Sequence, residues 1–382
     1  MIDPYNAFCF FDDGATGGEG ALSGTTVGVK ANIAVEGMPY HAGIGAWQDR
    51  RAERDAEVVR RLRDEGAAIV GILNMEEGAL GAKTDNPHFG PVENPHRQGH
   101  SPGGSSGGSG AAVAAGLCDV ALGTDTMGSV RIPAAHCGVF GFKPATDRVR
   151  QDGLIPAEPS LDAIGPLARD CDLLEKVARV ISDFGDREIM GAGATLIDHG
   201  VEVERDVTAA FAKACDHLGP LEQRHLRDPL SRIRFAGFIA TSRAMAADLE
   251  GVPVSDRLAK LLRYGPGRQV ADWDEDRAIL ARTGDVVRAI VDEDGFLILP
   301  TVPNSAFSHT APEPAAQADF TCLANIAGLP AISIPAGWTR DGLPIGVQMI
   351  AASGAEAALF DIARDLTCKL GAYRAPPRHE GA

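Results

Sequence analysis

Glycine and serine are concentrated in one part of this chain, residues 101–144, and this concentration restricts the local fold more than any other feature. Residues 103–109 read GGSSGGS, and a second Gly-Ser pair at 128–129 follows a helix-like run at 110–116 and an apolar run at 120–122. Glycines at this density let backbone N–H groups turn inward toward a ligand, and serines supply hydroxyl groups that can act as nucleophiles. Two such clusters, rather than one, indicate a site for acyl transfer.

Three other interpretations of the glycine-rich segment are weaker. A flexible linker would be flanked by polar sequence, whereas this run leads directly into AAVAAG, a good helix former. A phosphate-binding P-loop needs a Lys-Ser/Thr pair after its last glycine, and residues 109–111 offer no such pair. Residues 103–107 satisfy the G-x-S-x-G pattern of a nucleophile elbow, but residues 93–102 before them cannot form the strand that precedes such an elbow.

The remaining interpretation is a resemblance to the amidase signature family, the Ser–cisSer–Lys hydrolases. The motifs that carry it occur in the order typical of the family, from about Val27 to the final helix. They are VGVKANI (27–33), PGGSSGGS (102–109), GTD (123–125), GSVRIP (128–133), CGVFGFKP (137–144), LPTVP (299–303), NIAGLPA (325–331) and GLPIGVQ (342–348). The resemblance implies an α/β fold: a single compact domain, residues 1–382, with a long mixed β-sheet covered by helices on both faces.

The resemblance also implies a catalytic triad of Lys30, Ser105 and Ser129, with Ser129 as the nucleophile. Ser105, which follows a cis peptide bond in the family, would relay the proton between Ser129 and Lys30. A serine needs a base at neutral pH, and a lysine can be that base only when desolvation lowers its pKa by several units from about 10.4. Lys30 follows the apolar run 26–29, where a lone amine is buried, and no histidine near these motifs suggests a Ser-His-Asp triad.

The segment 125–129 is the expected oxyanion hole, because backbone N–H groups in a tight loop can point at the charge that develops on the substrate oxygen. The candidate donors are the N–H groups of Thr126, Met127, Gly128 and Ser129. Asp125 and Arg131 flank the loop with opposite charges, and we expect an ion pair between them that stiffens it. Ser106 has two alternative roles: it assists the proton relay, or it hydrogen-bonds the backbone.

Met127 departs from the family pattern, in which the residue before Gly128 is more often glycine. The backbone N–H is unchanged, so the oxyanion hole should be preserved. The Met127 side chain either narrows the acyl pocket or packs behind the loop. The first alternative is favoured, because a thioether readily fills irregular apolar gaps beside a ligand.

Composition limits the cellular setting and the partners. The chain has 382 residues, of which 45% are hydrophobic, and its net charge of −16 argues against nucleic acid or an anionic membrane as a partner. No run of 18 apolar residues exists, and the first residues lack the features of a signal peptide. The seven cysteines are scattered without C-x-x-C spacing, which favours reduced thiols. We expect a cytoplasmic enzyme without metal or cofactor that acts on a small-molecule amide; a homodimer stays open.

The periodicity of apolar residues favours alternating helices and strands. The final helix is expected to begin with a capping box, Ser353 with Glu356, and to end at Gly371. The landmarks divide the chain into a catalytic core, residues 25–170 and 296–371, and a helical, substrate-shaping middle region, residues 183–294.

The substrate is the least constrained property. Residues 76–90 and 153–156 are similar to compact indoleacetamide-hydrolase-like amidases. This resemblance implies hydrolysis of a small or arylalkyl primary amide to carboxylate and ammonia through an acyl-enzyme on Ser129. Three alternatives stay open: a hydrolase of urea-like carboxamides of the allophanate or biuret type, the amidase subunit of a tRNA-dependent amidotransferase, and a non-catalytic binding protein on the same scaffold. The short middle region counts against the amidotransferase interpretation, and the complete triad counts against the binding protein.

Overall fold

Eleven strands hydrogen-bond into one mixed sheet in the computed structural model, which describes residues 2–377. In chain order, the strands are β1 (Phe8–Phe11), β2 (Thr26–Lys30), β3 (Ala68–Leu73), β4 (Asp85–Asn86), β5 (Gly90–Pro91), β6 (Val120–Asp125), β7 (Phe140–Lys143), β8 (Ala163–Ala168), β9 (Ala194–Leu196), β10 (Glu222–Arg224), β11 (Phe296–Pro300), β12 (Ala331–Trp338) and β13 (Pro344–Ala351). The order in the sheet is β1-β3-β2-β6-β8-β7-β12-β13-β11-β9-β10, and β4 and β5 form a separate pair. β2 is parallel to β3 and β6, whereas antiparallel pairs link β6 through to β11.

Helices cover both faces of this sheet. In chain order, they are α1 (Glu57–Asp64), α2 (Gly107–Ala114), α3 (Arg131–Cys137), α4 (Cys171–Ile181), α5 (Arg205–Leu218), α6 (Leu230–Asp248), α7 (Asp256–Leu262), α8 (Val270–Asp294), α9 (Cys322–Ile326) and α10 (Glu356–Leu370). Val120 and Leu122 of β6 belong to the core beneath α1, α4 and α10, and Ala121 between them belongs to the core beneath α2 and α3. Successive side chains of a strand point to opposite faces. The structure therefore confirms the predicted α/β architecture.

The middle region contains the predicted helices but also two strands. Helices α5, α6, α7 and α8 lie in residues 183–294, and α6 and α8 pack together over β11 in a further apolar core. β9 and β10 extend the main sheet at one edge, and the sequence did not predict them. Each has only three residues, which is too short to show the alternation that marks a strand.

The predicted start of the last helix is wrong. Ala355, and not Ser353, is the N-cap of α10, and no side chain caps this helix. Because α10 begins at Glu356, that residue is the first of the helix and not the third, as a capping box requires. The Ser353 Oγ instead accepts a hydrogen bond from the Arg148 Nε at 2.9 Å. The helix ends as predicted, at Gly371 in the left-handed conformation.

The topology brings three loops to one edge of the sheet. β2 ends at Lys30, and its parallel neighbour β6 ends at Asp125. Residues 27–29 of β2 pair with residues 120–122 of β6. Side chains that follow adjacent parallel strands therefore emerge side by side. The segment before α2, which includes Ser105, lies against the same strand ends, since the Ser106 N–H donates to the Ser129 carbonyl oxygen at 3.3 Å.

Gly165 in the middle of β8 tests how tightly this sheet is packed. A Cβ at Gly165 would lie 2.1 Å from the carbonyl oxygen of Phe142 in β7, so the two strands would have to separate. We expect Gly165→Ala to lower the free energy of unfolding by about 1–3 kcal/mol, the usual cost of overpacking. Urea unfolding measures this change. Gly14→Ala is the control, because a Cβ at the exposed Gly14 meets its nearest atom at 3.4 Å; equal losses in the two variants would contradict the prediction.

Candidate active site

Lys30 lies at the end of β2 with its side chain fully buried. Its Nζ is 2.8 Å from the Ser105 Oγ and 2.7 Å from the Thr124 Oγ1. The amine therefore contacts two hydroxyl groups at once. Two residues of the predicted triad, Lys30 and Ser105, are in direct hydrogen-bond contact.

The surroundings of Lys30 favour a neutral amine. Burial lowers the pKa of Lys30 to about 7, against the opposing effect of nearby carboxylates, of which Asp162 is the largest. Removal from water disfavours the charged form of an amine, and an opposite charge favours it. Since desolvation dominates, a large fraction of Lys30 is unprotonated at neutral pH and can accept a proton.

Ser105 follows a cis peptide bond with Gly104, as the family resemblance implied. The neighbouring hydroxyl, Ser106, has a different environment. Its Oγ donates to the Thr124 carbonyl oxygen at 3.2 Å and accepts from the Thr124 N–H at 3.3 Å. Of the two roles predicted for Ser106, the structure shows hydrogen bonding to the backbone.

Ser129 lies on the loop between β6 and α3, at the wall of a cavity. It remains 9% exposed, whereas Ser105 and Lys30 are fully buried. A hydroxyl at this position can meet a ligand in the cavity. That Ser129 acts together with Ser105 and Lys30 stays a prediction.

The loop before Ser129 is held by the side chain of its own first residue. The Asp125 Oδ1 accepts from the Gly128 N–H at 2.7 Å, and the Oδ2 accepts from the Val130 N–H at 3.2 Å. Short acidic side chains commonly bond backbone N–H groups a few residues further along. This contact corrects one expectation: the Gly128 N–H is committed to Asp125, and the candidate oxyanion donors narrow to the N–H groups of Thr126, Met127 and Ser129.

The predicted ion pair between Asp125 and Arg131 is present and fully buried. The Arg131 Nη2 lies 2.9 Å from the Asp125 Oδ1, and both side chains are inaccessible to solvent. Burial alone raises the pKa of Asp125, but the adjacent Arg131 charge and its hydrogen bonds outweigh burial and hold the pKa at about 2. Asp125 is therefore an anion at all physiological pH values.

Two amide side chains form further hydrogen bonds with this ion pair, and the sequence analysis did not single them out. The Arg131 guanidinium donates to the Gln348 Oε1 and to the Asn325 Oδ1, both at 2.7 Å. The Asn325 Nδ2 donates back to the Asp125 carbonyl oxygen at 2.7 Å. The sequence did contain a signal for these two residues: each is the single polar side chain of an otherwise apolar C-terminal motif. A buried polar group is almost always hydrogen-bonded, so an isolated amide in such a motif predicts a specific partner.

The cavity beside Ser129 has a volume of about 130 Å³ and mainly apolar walls. Residues 79–82 and the 126–129 loop form one side, and α6 forms the other. Met127 lines this cavity, and a Cβ at Gly237 of α6 would lie 3.1 Å from the Met127 Cε. These contacts support the favoured alternative, in which the Met127 side chain borders the acyl pocket.

Besides hydroxyl groups, the cavity walls contain three charged or amide side chains, and the sequence analysis identified none of these three. Arg234 of α6 forms an ion pair with Asp319, and Glu313 accepts from the Ala82 N–H at 2.9 Å. The third is Gln317, whose Oε1 is one of the buried polar atoms without a hydrogen-bond partner in residues 2–377. The cavity walls therefore also offer charge and hydrogen bonding.

Residues 2–377 were expected to hold neither a metal site nor a membrane-spanning helix. In that part of the chain, no group of three or more His, Cys, Asp or Glu side chains could hold a metal ion. None of the helices described there is long and apolar enough to cross a membrane. The seven cysteines carry free thiols.

Comparisons with known proteins agree on one family. A family model described as Amidase matches residues 12–191 and 256–360. A glutamyl-tRNA(Gln) amidotransferase subunit of Methanothermobacter thermautotrophicus is 33% identical, over 91% of this chain and 85% of the relative. The corresponding amidotransferase subunit of Natronomonas pharaonis is 34% identical, over 93% of this chain and 98% of the relative.

Solved structures show the same fold. The glutamyl-tRNA(Gln) amidotransferase subunit from Thermotoga maritima has a TM-score of 0.84 at 28% identity and aligns over 97% of this chain and 90% of its own. A crystal structure described as an amidase has a TM-score of 0.86 at 27% identity, over 96% of this chain and 92% of its own. The fold and the buried lysine beside serine are those of the amidase signature enzymes. The chain belongs to the Amidase family.

These relatives favour an interpretation that the sequence analysis counted against. The short middle region counted against the amidotransferase subunit, yet proteins named as such subunits align over 91% and 93% of this chain. The comparisons give the family, and the choice of activity within it is a question of chemistry.

Removing the charge partner of Arg131 should destabilise the fold strongly. Asp125→Ala leaves a buried guanidinium without its counter-charge, and we expect the free energy of unfolding to fall by about 3–5 kcal/mol. Chemical denaturation provides the measurement. As the control, Asp152→Ala breaks the exposed pair with Arg150 and should cost less than about 1 kcal/mol. A loss for Asp125→Ala as small as that of the control would show that the buried pair does not stabilise the loop.

Proposed function

We propose that this protein hydrolyses a carboxylic amide to a carboxylate and ammonia through an acyl-enzyme on Ser129. The observation that supports this most directly is the contact at 2.8 Å between the Ser105 Oγ and the buried Lys30 Nζ, whose pKa is lowered to about 7. A serine nucleophile requires a base, and a buried amine with a lowered pKa in contact with a serine hydroxyl supports that role. The position of Ser129 at the wall of the adjacent cavity supports its assignment as the nucleophile.

In the acylation step, the Ser129 Oγ attacks the amide carbon while its proton passes through the Ser105 hydroxyl to the Lys30 Nζ. The carbonyl oxygen becomes an oxyanion, which the N–H groups of Thr126, Met127 and Ser129 stabilise. The C–N bond then breaks, and the leaving nitrogen takes the proton back from Lys30 through Ser105, so that ammonia departs. Water repeats the sequence on the ester, releasing the carboxylic acid and restoring Ser129.

The acyl group is proposed to be small or arylalkyl. A cavity of about 130 Å³ with mainly apolar walls suits a compact apolar group beside the scissile amide. Met127 reduces the space on one side, and Phe238 and Thr241 of α6 border the other. These α6 residues support the further proposal that the middle region, residues 183–294, shapes the substrate pocket.

A second candidate function is the amidase role within an amidotransferase complex. The observation that favours it is the set of relatives named as glutamyl-tRNA(Gln) amidotransferase subunits, which align over most of this chain at 33–34% identity. Both candidates use the same acylation of Ser129. They differ in whether this protein releases ammonia by itself or only together with partner proteins.

Ser129 should be the site of covalent labelling. A fluorophosphonate probe reacts with an activated serine, and we expect peptide mass spectrometry to place the adduct on the peptide that contains Ser129. Ser105→Ala should slow labelling without moving its site, because it removes the relay and keeps the nucleophile. An adduct on Ser105 or Ser106 would contradict the assignment.

Ammonia release from a panel of amides, including glutamine, separates the two candidates. Protein that is labelled at Ser129 and releases ammonia alone is an independent amidase. Protein that is labelled but releases no ammonia from any amide supports the amidotransferase candidate. Protein that is neither labelled nor active contradicts both candidates.

The rate should follow the titration of Lys30. The pKa of Lys30 is lowered to about 7, and only the neutral amine can accept a proton, so kcat/KM should rise with pH and level off above about pH 8. Lys30→Ala should reduce kcat by about 10²–10⁴-fold or more. Lys30→Arg should not restore it, because a guanidinium stays protonated. A flat pH profile from 6 to 9, or a Lys30→Ala enzyme with more than about a tenth of the original kcat, would exclude Lys30 as the base.

A further inference from the structure

A second, larger cavity, here called the vestibule, continues the catalytic cavity toward solvent. The vestibule has a volume of about 590 Å³, against about 130 Å³ for the cavity at Ser129. The two share six lining residues: Leu80, Gly81, Arg234, Phe238, Glu313 and Ala315. A shared ring of residues makes the two cavities one path from solvent to Ser129.

The inner cavity can hold only part of a long substrate. An apolar cavity of about 150 Å³ accommodates a molecule the size of benzene, so the space beside Ser129 takes a group of that size or smaller. The distal end of a longer acyl group would have to lie in the vestibule. The vestibule is therefore positioned to select among acyl groups by their distal ends.

The vestibule presents aromatic rings to such a group. The ring centroids of Phe238 and Tyr264 are 5.5 Å apart in an edge-to-face arrangement, and those of Phe235 and Phe238 are 6.2 Å apart. Tyr264 is 47% exposed, a high value for an aromatic side chain beside a cavity. A planar group can pack against these rings with favourable offset or edge-to-face geometry.

Among the described residues, some charged side chains around the vestibule have a partner of opposite charge, and one does not. Arg234 pairs with Asp319, and Arg257 lies between the carboxylates of Glu76 and Glu313. Lys260 also lines the vestibule, and within residues 2–377 it forms no ion pair. On a chain with a net charge of −16, an uncompensated cation beside an aromatic wall favours an anionic partner.

We propose that the vestibule binds the distal end of the acyl group, and that this end is a planar ring with an anionic substituent that lies near Lys260. The proposal rests on the proposed amide hydrolysis at Ser129, and it adds the substrate class. The scissile amide enters the inner cavity, the ring packs against Phe238 and Tyr264, and the anion faces the Lys260 ammonium.

Two matched series of amides test this assignment. One series is ω-phenylalkanamides with two to six methylenes, and the other carries a para-carboxylate on the ring. We expect one chain length of the carboxylated series to show the highest kcat/KM. Lys260→Met should reduce the preference for the carboxylated over the neutral amide about two- to fivefold, as expected for an exposed charge pair. Tyr264→Ala should raise KM for both series about three- to tenfold.

Controls separate this proposal from the proposed function. Lys176→Met removes a lysine exposed on α4 and should leave the preference unchanged. Binding of both amides to Ser129→Ala, measured by calorimetry, reports on the vestibule without turnover. Equal affinity for the carboxylated and neutral amides, or a preference that Lys260→Met does not alter, would overturn the substrate class. Absence of hydrolysis of every amide by the unmodified protein, with selective binding to Ser129→Ala, would overturn the proposed hydrolysis alone.

Discussion

The buried contact between Asp125 and Arg131 fixes the part of the structure on which the candidate site depends. Asp125 ends β6 and Arg131 begins α3, so the pair closes the loop that presents Ser129. Two ions removed from water are stable only when their remaining hydrogen-bonding capacity is satisfied. Asn325 and Gln348 satisfy it from α9 and β13, and so they tie the loop to the C-terminal part of the chain. Residues far apart in sequence thus hold one short turn.

The second constraint is the removal of Lys30 from water. The unfolded chain carries a protonated Lys30 at neutral pH, whereas in the folded chain burial lowers its pKa to about 7. Between these two pKa values the unfolded state binds more protons, so this group makes folding less favourable as pH falls from about 10.4 toward 7. The apolar strands around β2 must offset that cost. A reactive base and a less stable fold are two results of the same burial.

Local motifs predicted most of the architecture and the central groups of the site. The apolar run before Lys30 forms the strand β2, as its composition predicts. The small residues after Ser105 form α2 in a tightly packed place, where a Cβ at Gly108 would lie 2.3 Å from the Asn74 carbonyl oxygen. The ion pair of Asp125 with Arg131 followed from their position on both sides of one loop. That Lys30, Ser105 and Ser129 act together in catalysis stays a prediction.

Other features depended on contacts that no local pattern contains. The hydrogen bond from the Gly128 N–H to Asp125 depends on the geometry of the loop. The Ser353 side chain contacts Arg148, which is distant in sequence, and α10 begins only at Glu356. Arg234 reaches the cavity from α6, whereas Glu313 and Gln317 reach it from the long connection between β11 and α9. Side chains that line a cavity from long connections leave no periodic signal, and so they are found only when the fold is known.

The cavity wall contributed by α6 comes from a different part of the sequence than the proposed catalytic groups. The groups proposed to make and break bonds lie at strand ends of the sheet, whereas Arg234, Phe238 and Thr241 come from a helix inserted between β10 and β11. Ser129 and the three α6 residues line the same cavity. Change in the inserted helices can therefore alter which molecules are accepted while the reacting groups keep their positions, and one scaffold of this kind can diversify by exchanging a single internal segment.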